Sequence, residues 1–92
     1  MTFSQKLGPR ARRLAATSIE DDVVESVVEV ARSANRKVVE REIAQAGGRI
    51  RSHAHSSPFM RVDVTIRHLN DLALVNDVIY VEAEELRQYA LT

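Results

Sequence analysis

The chain has 92 residues, a 45% apolar and 28% charged composition, no cysteine, no tryptophan and a formal net charge of zero. That is one small domain, too short for the large α/β enzyme classes of roughly 200 residues or more, and without disulfides or thiolate metal sites to staple it. A zero balance also argues against general nucleic-acid binding.

The zero conceals two unequal parts. Residues 1–19 carry Lys6, Arg10, Arg12 and Arg13 and no acid, while the rest sets nine basic against thirteen acidic side chains. No apolar run of about 7–15 residues follows Arg13, so a secretory signal is not expected. Nor does any stretch approach the roughly 18 apolar residues of a membrane span. The expectation is a cytoplasmic chain with no membrane and no nucleic-acid partner. Residues 1–20, interrupted by Gly8-Pro9, read as a flexible basic arm or a short frayed helix.

Val23 to Ala31 holds five valines, whose branched side chains favour a strand. Val24, Ser26, Val28 and Val30 would share one face, with Glu25 and Glu29 on the other. A competing pattern exists. Ser18-Ile19-Glu20-Asp21 resembles a capping box, and Val24, Val27, Val28, Ala31 and Val38 fit a helical stripe, so one helix over Ile19–Ala46 is the alternative. Ser33 and Asn35 interrupt it as a strand end and a helix cap.

Arg36 to Ala46 is the clearest helix, with Val39, Ile43 and Ala46 on one face. Gly47-Gly48 ends it. Arg49 to His55 alternates strictly, as does Phe59 to Ile66 with Met60, Val62, Val64 and Ile66 inward. Ser56-Ser57-Pro58 turns between them, giving an antiparallel hairpin. Arg67 to Val75 reads as a second short helix, Asn76-Asp77 as a break, Val78 to Val81 as a last strand, and Glu82 to Thr92 as an acidic, then mixed tail.

The order strand, helix, strand, strand, helix, strand predicts an α+β fold of ferredoxin-like βαββαβ type. Two helices would cover one face of a four-stranded antiparallel sheet. The other face, carrying Val27, Phe59 and Tyr80 or Ile79 among charges, would be solvated or a docking surface. Three segments follow: 1–20 as the arm, 21–85 as the domain and 86–92 as a tail.

Chemistry is sparse. There is no nucleophile elbow, no phosphate-binding glycine loop and no metalloprotease helix. Gly47-Gly48 lies at the wrong end of its helix to cradle a phosphate. His53 and His55 share a strand face, but only His68 or Asp63 offers a third metal ligand, and solvent-facing histidines are the better reading. Glu82, Glu84 and Glu85 lack a pocket that would fit them for acid–base work. No catalytic residue, cofactor or metal site is expected.

Ala46-Gly47-Gly48-Arg49-Ile50, Phe59 at the head of a strand, His68-Leu69-Asn70-Asp71-Leu72 and Asn76-Asp77-Val78-Ile79-Tyr80-Val81-Glu82 together resemble the propeptide domain of subtilisin-like serine proteases. The same family includes the free-standing fungal proteinase B inhibitor. Val23 to Ala46 fits the family's first strand and helix by pattern alone, and the resemblance favours the strand reading there. It implies an inhibitor or folding chaperone whose open sheet face, with Phe59 and Tyr80, packs on two surface helices of a protease. Carboxylates after the last strand cap the starts of those helices in this family; by position these are Glu82 and Glu84. Ala83 stands where the family often has a further acid, and Glu84 replaces the usual Asp. The tail from Leu86 to Thr92 would lie in the substrate cleft, with Tyr89, Ala90, Leu91 or Thr92 in the primary pocket. Met1 and the lack of a leader lean toward a free-standing form.

Two other readings stand beside this one. A regulatory or oligomerisation module of the same fold would form a homodimer through the sheet and dispense with the tail. An enzyme built on His53 and His55 lacks a nucleophile or third ligand.

Overall fold

The five valines of β1 (Val23–Val30) lie in the middle of a four-stranded antiparallel sheet of order β2-β3-β1-β4, with β2 at Arg49–His53, β3 at Phe59–Thr65 and β4 at Val78–Leu86. The computed structural model describes residues 4–17, 21–53 and 57–86, apart from the side chains of Thr17, Ser52, His53, Glu85 and Leu86. Within this range the fold is α+β, with three α-helices, α1 (Pro9–Thr17), α2 (Arg36–Gln45) and α3 (Leu69–Ala73), and a 3-10 turn at Ile66–His68.

Alternation decides which side of the sheet is covered. Val24, Ser26, Val28 and Val30 are buried, while Val23 is exposed and Glu25, Val27 and Glu29 are intermediate. The strand reading of this segment therefore holds, and a single helix through Ile19–Ala46 does not, since α2 begins only at Arg36. Met60, Val62 and Val64 of β3 stand opposite Val28, Ser26 and Val24 on the same buried side. Ser26 is the one buried polar residue among the described side chains, and its hydroxyl donates to the Val62 carbonyl at 2.8 Å. That bond satisfies a group whose burial unpaired is costly.

Local signals fix α2 at both ends. The Asn35 side chain accepts from the Lys37 and Val38 amides, the expected N-cap geometry. At the other end Gly47 has φ +103°, and the Gly48 amide donates to the Ile43 carbonyl at 2.9 Å. This is the double-bonded C-terminal closure that wants glycine in the left-handed region. Val39 and Ile43 are fully buried and Ala46 packs on the core. On the second crossover, Leu69, Leu72 and Ala73 of α3 enter the same core.

Two segments depart from the sequence reading. Residues 1–20 read as a flexible arm or a short frayed helix; Pro9–Thr17 is a helix, and it is not loose, since Leu7 and Ala11 are buried in the common core with Leu14 packed against it. Leu7 pairs with Val81 as a short parallel bridge. The Gly8 amide donates to the Val81 carbonyl at 2.7 Å and the Val81 amide to the Lys6 carbonyl at 2.9 Å. The second departure is β4, which runs to Leu86, whereas the sequence reading ended the last strand at Val81 and began the tail at Glu82. Val81 and Ala83 point into the core, and register shifts on either side of them break the simple period of two. Among the described residues no helix is long and apolar enough to cross a membrane.

The helix register gives a direct check. Val39 is fully buried whereas its neighbour Val38 is 40% exposed. Val39→Ala is expected to lower unfolding free energy by about 2 kcal/mol in urea titration, through lost burial and a residual cavity. Val38→Ala is expected to change it by less than about 0.5 kcal/mol, because alanine's helix propensity offsets the small lost contact.

Candidate docking surface on the open sheet face

The side of the sheet away from the helices is built from the other half of each alternating strand. Register across β4, β1 and β3 sets out its rows. One row is Tyr80–Glu29–Phe59, the next Glu82–Val27–Arg61, and a third brings Glu25 beside Asp63. Arg49 of β2 lies beyond Asp63. Phe59 is 48% exposed, Ile79 48% and Tyr80 38%. Phe59 and Tyr80 thus lie open at one end of this face, on either side of Glu29. Charges dominate the other end, where Arg51 pairs with Asp63 at 3.1 Å.

The two carboxylates expected to cap a partner's helices lie within β4 rather than beyond it. Glu82 is engaged by its own chain. Its Oε1 accepts from the Ala11 amide at 2.8 Å and its Oε2 from the Arg10 amide at 3.4 Å, both in the first turn of α1. Oε1 also accepts from the Ala83 amide at 2.9 Å. Glu82 is thus a helix-capping carboxylate, and the helix it caps is α1. Pro9 at the first helical position needs no such partner, having no N–H. Gly8 sits just before it, and a Cβ there would lie 2.3 Å from Glu82 Oε2 and 2.4 Å from the Tyr80 hydroxyl. Any other residue at position 8 would make the ends of the Glu82 and Tyr80 side chains shift.

Glu84 has a different partner, Arg61 Nη1 at 2.5 Å on the open side of the sheet. Its carbonyl accepts from Arg10 Nη1. Ala83, between the two acids, is 2% exposed and faces Ser26, so an acid at this position would point into the core. Leu86 ends β4 opposite Val24. Tyr89, Ala90, Leu91 and Thr92 lie outside the described residues, as does His55.

The structure brings together Phe59, Tyr80, Glu82 and Glu84 on or beside one surface. It adds two residues that the sequence reading left out. Glu29 stands between Phe59 and Tyr80 in register, and Arg61 holds Glu84. Register was the missing signal for both, since strand pairing cannot be counted from one sequence. Among the described residues no three His, Cys, Asp or Glu side chains are grouped to hold a metal ion. His68, the candidate third ligand, instead meets Asp71 at 3.0 Å, and Asp63 meets Arg51.

Glu82→Ala is expected to lower unfolding free energy by about 1 kcal/mol, the usual loss for one helix cap. Arg61→Ala is expected to cost less than about 0.5 kcal/mol, because a half-exposed ion pair gains little over water. Parallel denaturant titrations of the two variants check this ordering. In comparison with known proteins, no family model matches the chain and no curated protein matches it.

Proposed function

We propose that this chain is a propeptide-like inhibitor of a subtilisin-like serine protease, able also to act as its folding chaperone, and that its fold is of the ferredoxin-like type. The fold assignment is supported by the strand order, which from the β4 edge reads 4-1-3-2, with α2 and α3 in the two crossovers of a βαββαβ succession. The function rests on one observation above the others. The uncovered sheet face exposes Phe59 and Tyr80 in a single row, on the strand layer whose last member leads into residues 87–92.

In this reading the sheet face packs on two surface helices of the protease and supplies area and orientation. Glu82 and Glu84 cap the starts of those helices, where free N–H groups and the macrodipole favour an anion. The tail, from Leu86 through Tyr89, Ala90, Leu91 and Thr92, then occupies the substrate cleft at a high effective concentration. It acts as a competitor of substrate, and the chain itself performs no catalysis. Binding that favours the folded protease over its unfolded form also stabilises it, which is the basis of a chaperone effect.

The test is hydrolysis of a small peptide substrate by several subtilisin-like proteases, with the full chain and with a chain ending at Leu86. Inhibition by the full chain that weakens several-fold on removal of residues 87–92 is the expected outcome. No inhibition of any of them, together with a stable homodimer in sedimentation, would replace this reading with an oligomerisation module that pairs through the same face.

A further inference from the structure

The carboxylate that the proposed docking needs is already in use. We propose that residues 4–17 are an autoinhibitory strap: they present their own helix start to Glu82 and their backbone to the edge of β4, and they must leave before Glu82 can cap a helix of the protease. The inference rests on the inhibitor reading given above.

Three sets of observations carry it. The strap imitates the partner. Glu82 receives two first-turn amides of α1, from Arg10 and Ala11, which is the contact it would make with the start of a protease helix. Exchanging one helix start for another leaves the carboxylate satisfied in both states, so the exchange is decided by the rest of the interface. The strap also reaches the docking row, because Gly8 sits against both Glu82 and the Tyr80 hydroxyl.

The strap is weakly held by its own sequence. Helix α1 has nine residues, no acid in its first turn, and Gly8 rather than a capping side chain before it. Isolated helices of this length are marginal. Arg10, Arg12 and Arg13 all fall in its first half, where the macrodipole disfavours cations. The helix therefore depends on Glu82, a residue of β4, and loses its cap when Glu82 turns to another partner.

The strap joins the sheet through less backbone than any of the four strands does. Among the described residues its backbone bonds to β4 are two, from Gly8 to Val81 and from Val81 to Lys6, where β1 is paired with β4 over most of its length. The Ser4 amide donates to Asn70 Oδ1 at 2.7 Å and Arg10 reaches the Glu84 carbonyl. Leu7 and Ala11 are its fully buried apolar side chains. Leu14 packs against the same core, so release of the strap exposes these three side chains, a local opening that costs less than global unfolding.

Amide hydrogen exchange on the full chain tests the proposal, alone and mixed with a subtilisin whose nucleophilic serine is replaced by alanine. In the complex the Gly8 and Ala11 amides are expected to exchange at least ten-fold faster than in the free chain, while the Val62 and Val64 amides do not speed up. A complex that alters exchange at Phe59 and Arg61 but leaves Gly8 and Ala11 as slow as before would overturn the strap and spare the inhibitor reading. No change at any amide would remove both. As a second measurement, Leu7→Ala removes a buried side chain of the strap without touching Glu82 or Tyr80, and is expected to tighten inhibition several-fold. Unchanged or weaker inhibition, with inhibition by the unaltered chain intact, counts against the strap alone.

Discussion

A helix must find partners for the amide donors at its start, and α1 finds one on the last strand of the same chain. The Glu82 carboxylate takes the Arg10 and Ala11 amides. Much else in the arrangement follows from this contact. It holds Leu7 and Gly8 beside β4, where they pair with Val81 and cover part of an otherwise open sheet edge. Unpaired edges invite pairing with another chain, so even a short cover has value. Arg10, from the basic opening of the chain, reaches the Glu84 carbonyl near the end of β4.

The legible elements are those whose signal is local. β1, α2, β2 and β3 announce themselves by alternation, by the period of Val39 and Ile43, by Asn35 and by Gly47-Gly48. Each signal lies within a few residues of the element it defines. α1 has no such signal, because its cap is 71 residues away in sequence. Gly8-Pro9 looks like an interruption when read alone, though proline at the first helical position is a good beginning. The end of β4 was hidden for another reason. Glu82, Glu84 and Glu85 make the segment look solvated, while Val81 and Ala83 fix it to the core between two register shifts.

The same division applies to the docking surface. Phe59 and Tyr80 were readable as residues of an uncovered face, since each strand alternates. What they stand beside was not. Glu29 comes between them only because β1 is central and both neighbours pair with it. The partners of the two acids were equally out of reach, because Glu84 meets Arg61 of β3 while Glu82 turns past the sheet edge to α1. Two similar carboxylates, two residues apart, acquire different roles from what the fold sets next to them.

The position of Glu29 limits what can lie on this face. A partner that covers both Phe59 and Tyr80 also covers the carboxylate between them. Removing that charge from water is costly unless a donor or cation replaces the water. A flat apolar surface would therefore be a poor match despite the two aromatic side chains. A partner bringing a helix start or a basic group over the middle of the row would satisfy Glu29 while burying the rings on either side. The apolar area favours contact in general, and the acid at its centre selects among contacts. A helix start meets that need with its free amides, and so does a guanidinium carried as Arg61 is on this same face.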